Sequence, residues 1–215
     1  GLNSGETVVL PFLRQQGIRR LDQLVLSHAH LDHFGGIESV REGIAISKEI
    51  GTDHGMPCRA GDRWQWDGVQ FEFLHPDDGR WPINEGSCVL RVSAGAHALL
   101  LTGDIEAAAE AHLLETSPEK LVADVIVVPH HGSRSSSTSD FVAAVNPRYA
   151  LVPAGWANRW GFPKAEVRER YEASGAQVET TGTHGALQLR MSPAHGVEQL
   201  TRWREQSRCF WRAGG

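Results

Sequence analysis

The sequence is short of the features that would place it in several large protein classes. It holds only 3 Cys, 2 Met and 2 Tyr in 215 residues. Cys58, Cys88 and Cys209 are widely separated and form no CxxC pair, and an odd number cannot complete a disulfide framework, so the redox compartment stays undecided. No apolar run approaches the roughly 20 residues a membrane span needs; the longest, 98–101 and 125–128, are strand-sized. Lys and Arg (21) do not exceed Asp and Glu (26), which leaves a formal net charge of −5. That balance excludes a protein that grips nucleic acid by bulk counterion release, while an enzyme working through a local basic patch and metal ions stays open. No start Met, basic n-region or long apolar h-region opens the chain, which therefore reads as a mature product or a fragment of something larger.

What is present describes a folded α/β protein. Hydrophobic residues make up 40% and charged residues 22%, which excludes global disorder, and the length is ample for a buried core. Short apolar, β-branched runs at 24–26, 44–46, 69–74, 89–92, 98–101, 125–128, 149–152 and 187–189 read as strands. Helical patterns lie at 6–16, 105–115, 139–145, 164–174 and 197–207. Residues 69–73 alternate apolar and polar, the mark of a half-exposed strand, whereas 125–128 is apolar on both faces. Two kinds of strand burial imply sheets packed on each other and covered by helices. Ser139-Asp140 and Asp104 stand at helix starts as capping residues, and Gly17 and Gly175 follow helix ends. With no repeat, linker or composition shift, one domain over 1–215 with a carboxy-terminal tail from about 196 is the economical reading.

Histidine is the compositional excess, at 11 residues, and its placement carries the chemistry. In Leu24-Val25-Leu26-Ser27-His28-Ala29-His30-Leu31-Asp32-His33-Phe34-Gly35-Gly36 a strand ends, and three imidazoles and a carboxylate follow within six residues. Such donors suit zinc, manganese or iron. His28 and His30 leave one face of an extended loop, while Asp32 and His33 turn toward a second point, so two ions a few ångströms apart are the natural consequence.

The string His-x-His-x-Asp-His after a strand resembles the signature of the metallo-β-lactamase superfamily. Leu100-Leu101-Thr102-Gly103-Asp104 resembles its later Asp motif, and Val127-Val128-Pro129-His130-His131-Gly132-Ser133 its next His motif. The resemblance implies an αββα sandwich with metals at one edge of its sheets. A narrower pattern, SHAHLDHFGG, NEGSCVLRV, LLTGDIEAAAEAHLL, VVPHHGSRSSS, NPRYALVPAG and NRWGFPKAEVRER, is similar to the carboxy-terminal domain of the ComEC family of competence DNA-uptake channels. The last stretch, with Trp203, Phe210 and Trp211 among arginines, resembles the tails of its Gram-negative members.

By that resemblance His28 and His30 would bind one of two divalent ions (Mn or Zn), Asp32 and His33 the other, with Asp104 bridging and His130 completing a shell. Only one of the pair His130 and His131 need be a ligand; His131 is then its partner or a phosphate contact. Ser133, Ser135 and Ser136 would hold a phosphate or merely cap a helix. Asp32 and Asp104 are the candidate catalytic residues, and Asn84 a substrate contact. The implied function is a DNA nuclease degrading one strand of incoming DNA, in a soluble domain without its own membrane span, joined to an inner-membrane channel protein on its periplasmic side. The alternatives are another hydrolase of the same fold acting on a small phosphodiester, thioester or lactam, or a catalytically weak DNA-guiding domain.

Three departures from the family pattern bear on this. The chain opens after the Asp-Val-Gly-Gln-Gly-type segment with which the family's domain begins, so its first strands are expected to be lacking. Asn84 and Ser87 occupy the region of a third His, and Gly161-Phe162-Pro163-Lys164 stands where members read Gly-His-Pro-His. Elsewhere, His75, His97 and His112 read as loop or surface residues, and His54 and His184 as loop residues that border the site or do not. Trp156, Trp160 and Phe162 with Arg159 form a loop group suited to stacking on bases or to packing.

Overall fold

Alternate residues of the strand at 97–101 serve different cores, and that alternation sets the architecture. Ala98 and Leu100 join one buried cluster, while Leu99 and Leu101 pack against two others on the opposite side. The computed structural model describes residues 3–51 and 54–206. A π-helical turn (Gly5–Val9) runs into α1 (Leu10–Gln15), followed by β1 (Arg20–Leu21), β2 (Leu24–Val25), α2 (Leu31–Phe34), α3 (Ile37–Gly43), β3 (Ala45–Ile46) and β4 (Glu49–Ile50). The middle of the chain forms β5 (Arg63–Trp66), β6 (Val69–His75), β7 (Val89–Ala94), β8 (His97–Leu101), α4 (Ala107–Thr116), α5 (Pro118–Leu121) and β9 (Val125–Val127). After a 3-10 turn (Pro129–Gly132) come α6 (Ser139–Val145), β10 (Tyr149–Val152), α7 (Ala165–Ala173), β11 (Gln177–Thr180), α8 (Thr181–His184), β12 (Leu187–Ser192), β13 (Gly196–Arg202) and α9 (Trp203–Gln206).

Seven strands form a mixed sheet in the order β11-β10-β9-β8-β7-β6-β5. Strands β8 to β11 run parallel and β5 to β8 antiparallel. Helices α4, α6 and α7 cover one face through Leu113, Phe141, Val142 and Tyr171. The other face is covered by short strand pairs, β2–β4 through Ile50 and β12–β13 through Val197. A further pair, β1–β3, packs beneath α1 and α3. The result is the α/β class expected, with a second layer built of two-stranded pieces. Both faces of β9 are buried, with Val125 and Ile126 fully enclosed, as its doubly apolar sequence requires.

The carboxy-terminal region corrects the sequence reading. Residues 196–202 form β13 paired with β12, not the start of a helix or of a tail. The register passes from Arg190↔Gln199 to Met191↔Val197, so Glu198 is an extra residue. This bulge turns Val197 and Leu200 to the same core although they are three apart, a spacing that imitates a helical face. Cys209, Phe210 and Trp211 lie outside the described residues. Cys58 and Cys88 form a disulfide that closes a 30-residue loop, a pairing that the odd cysteine count concealed. Among the described residues no helix is long and apolar enough to cross a membrane.

Candidate metal centre

Parallel strands deliver their following loops to one sheet edge, where open α/β folds place their ligands. Here β8 leads into Asp104, β9 into His130 and His131, and β10 into Pro153. Segment 26–33 is drawn to the same edge, because the Cys88 N–H donates to the Ser27 carbonyl (2.8 Å). His30 stands on extended backbone with its ring centroid 4.9 Å from that of His28, and α2 then carries Asp32 and His33. Gly103 permits the convergence: it holds φ +55°, and a Cβ there would lie 2.7 Å from the Ser87 Cβ and 2.9 Å from the Ser27 Cβ.

Asp104 sits at the middle, buried among imidazoles. Its carboxylate lies 3.2 Å from His33 Nε2, 3.7 Å from His131 Nε2, 3.8 Å from His28 Nε2 and 4.0 Å from His130 Nε2. His131 Nε2 is also 3.4 Å from Asp32 Oδ2. Donor atoms of Asp32, His33, Asp104 and His131 all lie within 4.8 Å of one another. His131 therefore stands in the tightest donor group. His130 turns its Nδ1 to Glu106 Oε1 (2.9 Å) and presents Nε2 to Asp104 from further off.

The chemistry of these donors fits a divalent cation. The Nδ1–H of His131 donates to the Pro153 carbonyl (2.9 Å), so a neutral His131 aims the lone pair of Nε2 at two carboxylates, a repulsive arrangement that a shared cation relieves. His28 Nε2 is sealed from solvent and makes no hydrogen bond, a costly state for a polar atom unless it holds something. Ser27 Oγ lies between His28 Nδ1 (3.2 Å) and His33 Nδ1 (3.1 Å), and Ser87 Oγ contacts His28 Nδ1 (3.2 Å) while accepting the Asp104 N–H (3.0 Å). Serines Ser27 and Ser87 thus fix ring orientation, as partners behind metal-binding histidines do.

Electrostatics follow the same plan. Burial, reinforced by the charge of His33, lowers His28 from 6.5 to about 4. His33 is raised: burial opposes protonation, but the hydrogen bond and charge of Asp104 outweigh it. Burial pushes Asp104 up, and the His33 hydrogen bond followed by the charges of His33, His131 and His130 bring it below the usual carboxylate range.

Asp104 does not cap α4. That task falls to buried Glu85, whose carboxylate accepts the N–H groups of Glu106 (3.0 Å), Ala108 (3.0 Å) and Ala109 (2.9 Å), leaving Asp104 free for the cluster. Likewise α6 is capped by Thr138, which accepts the Phe141 N–H (3.4 Å). His130 and His131 occupy left-handed backbone at φ 48° and 56°, a strain that non-glycine residues hold only where the surroundings enforce it. The enforcement is visible. The His130 N–H donates to the Gly103 carbonyl (3.2 Å), and the buried Ser136 hydroxyl donates to the Pro129 carbonyl (2.9 Å). Ser136 thus supports the turn from within and does not face a substrate. Gly132 continues the turn at φ +82°, where a Cβ would strike the Pro163 Cβ at 2.6 Å.

A cavity of about 470 Å³ opens at the cluster, lined by His30, Asp32, Asn84, Asp104, His130, His131 and Ser133 together with residues of the 153–162 loop, including Trp160 and Phe162. Asn84 donates to Glu106 Oε1 (3.2 Å). Ser135 is exposed beside Ser133, their hydroxyls 3.0 Å apart, and does not line the cavity. Neither His54 nor His184 lines it; His184 pairs with Glu179 at 3.2 Å. His75 is fully buried, its Nε2 donating to the Glu85 carbonyl (2.6 Å), whereas His97 and His112 pair with Asp124 and Asp77. Glu85, Glu106 and the two serines carry no motif; only Ser27, at a strand end beside a histidine, gives a local hint.

The sequence matches the family described as "Metallo-beta-lactamase superfamily" over residues 2–156. It is 42% identical over 191 residues to "Competence protein ComA" of Neisseria gonorrhoeae, covering 86% of this chain and 28% of that protein. It is 33% identical over 197 residues to "Recombination protein 2" of Haemophilus influenzae (88% and 24%) and 30% identical over 207 residues to "ComE operon protein 3" of Bacillus subtilis (86% and 26%). The chain thus spans about a quarter of the length of these relatives. Among solved structures, the metallo-beta-lactamase fold protein YhfI from Bacillus subtilis aligns with a TM-score of 0.49 at 15% identity over 74% of each chain.

Proposed function

Because the chain belongs to the metallo-β-lactamase superfamily, we propose that it is a metal-dependent phosphodiesterase that cuts DNA as one domain of a competence-type DNA-uptake protein. The observation that carries this reading is the meeting of Asp32, His33, Asp104 and His131, from three separate stretches of chain, within 4.8 Å of one another, with Asp32, Asp104 and His131 lining an open cavity. The relatives named for competence and recombination supply the biological direction.

Asp32, His33, Asp104 and His131 would hold one divalent ion. His28, His30 and His130 are the further imidazoles available to a second, with Asp104 shared. Nitrogen and oxygen donors without thiolate suit zinc or manganese. When bound, such ions supply charge neutralisation at the phosphoryl oxygens and a water acidified toward a pKa of about 7. The chain does the rest. Asp32 is exposed at the cavity, where it orients the attacking water and takes its proton. Ser133 contacts a phosphate oxygen, and Asn84 lines the same cavity. The Pro153 carbonyl keeps His131 in the tautomer that leaves Nε2 free, and Ser27 and Ser87 orient the rings of His28 and His33 through their Nδ1 atoms.

The disulfide Cys58–Cys88 supports an oxidising location, consistent with the periplasmic side of a membrane-attached parent protein. A non-hydrolytic, DNA-guiding role is the second reading, favoured by Phe162, whose apolar ring stacks on His131 at 6.3 Å and offers no donor to a metal.

The test is metal analysis of the purified chain, together with digestion of linear and closed-circular DNA in Mn²⁺ or Zn²⁺. Asp32→Asn and Asp104→Asn should lower the cleavage rate at least about a hundredfold with the fold retained. Full activity in both variants refutes the assignment, and metal binding without cleavage selects the guiding role.

A further inference from the structure

We propose that the loop from Gly155 to Lys164 is a nucleobase platform, on which one unpaired base of a single-stranded polynucleotide stacks against Trp160 while its backbone enters the metal cavity. The idea rests on the phosphodiesterase reading only for the direction of the strand; the platform itself is a binding surface.

Four features define it. First, the rings form a file that leads to the centre. Trp160 and Phe162 are near-parallel (10°) with centroids 6.2 Å apart, and Phe162 and His131 are near-parallel (21°) at 6.3 Å. Second, the outer end is open, for Trp160 keeps 54% of its surface in solvent and Trp156 keeps 74%. Third, the loop is braced from within. The Asn158 amide donates to the carbonyls of Gly155 (3.0 Å) and Phe162 (2.8 Å) and accepts the Phe162 N–H (2.8 Å), and the Lys164 ammonium donates to the Trp160 carbonyl. An indole held on a braced loop loses little entropy when a ligand lands on it.

Fourth, cations flank the rings. The Arg159 guanidinium lies 4.2 Å from the Trp160 ring centroid, and Lys164 Nζ lies 5.4 Å from that of Phe162. A guanidinium is planar and stacks as a base does. A base therefore takes its place on the indole, and the exposed Arg159 turns to the adjoining phosphate. Exposed aromatics interleaved with cations beside a phosphate-handling cavity are the elements of single-strand recognition. Duplex DNA does not fit this surface, because its bases have both faces covered by their neighbours.

The experiment is equilibrium binding, by fluorescence anisotropy in EDTA and low salt, of a labelled dT12 and of an abasic 12-mer with the same phosphates. Trp160→Ala should weaken dT12 binding about 5- to 150-fold and leave the abasic strand unchanged, while Trp160→Phe retains most of the affinity. The platform is overturned if Trp160→Ala binds dT12 like the wild type, if both strands weaken equally, if the wild type binds neither, or if duplex DNA binds the wild type tighter than dT12. Cleavage of dT12 in Mn²⁺ is scored separately. A strand that stacks on Trp160 but is never cut removes the phosphodiesterase and keeps the platform, whereas cleavage with no Trp160 effect does the reverse.

Discussion

Acidification reads the metal centre through a single imidazole. In the folded protein His28 is enclosed beside Asp104, and burial, with the charge of His33, lowers it from 6.5 to about 4. Unfolding restores the ordinary value, so the unfolded chain binds this proton more tightly than the native one. The stability contributed by the neutral ring is complete above pH 6.5 and drains away as pH falls toward 4. At about 1.4 kcal/mol per pH unit, the loss by pH 4 is about 3 kcal/mol. The neighbours act elsewhere on the axis. His33 is raised, so its contribution is complete below pH 6.5 and disappears as pH rises through its folded value. Asp104 is lowered, so its contribution holds above pH 3.8 and disappears as pH falls through its folded value. Urea denaturation in EDTA at several pH values between 7 and 4 isolates the effect when wild type is compared with His28→Gln, whose amide does not titrate. The wild type should lose about 3 kcal/mol relative to the variant over this interval. Parallel pH profiles for the two proteins would refute the reasoning, because they would mean that His28 is not buried in its neutral form.

Two further outcomes concern the frame around the centre. Glu85→Ala removes the acceptor of three N–H groups at the start of α4 and should cost about 2–4 kcal/mol in denaturant titration, with Glu85→Gln losing less; equal stability of wild type and Glu85→Ala would show that water replaces the carboxylate. Cys58→Ser opens a 30-residue loop and should cost about 3–4 kcal/mol, a fall in Tm of roughly 6–16 °C by calorimetry, and an unmoved Tm would rule the cross-link out as a source of stability.

The sequence by itself determined the α/β class and five of the seven strands of the main sheet, β6 to β10, because those runs are short, apolar and bounded by polar turns; the two edge strands, β5 and β11, are largely polar or exposed and carry no such pattern. It also gave the order of the His and Asp motifs, since each is a contiguous string. Where a local pattern misled, the cause was a tertiary partner. The three-residue spacing of Val197 and Leu200 looks helical until the bulge at Glu198 is known, and Asp104 looks like a cap until Glu85, nineteen residues earlier, is seen to hold the α4 N–H groups. Choosing between His130 and His131 as the nearer donor also lay beyond the string His130-His131, because both residues stand in left-handed backbone, a conformation that the string does not announce. The Cys58–Cys88 pair, the Ser27 and Ser87 contacts and the file of rings from Trp160 to His131 were decided only by tertiary structure. Each joins residues that carry no shared pattern and are brought together by chain topology, which no single segment encodes.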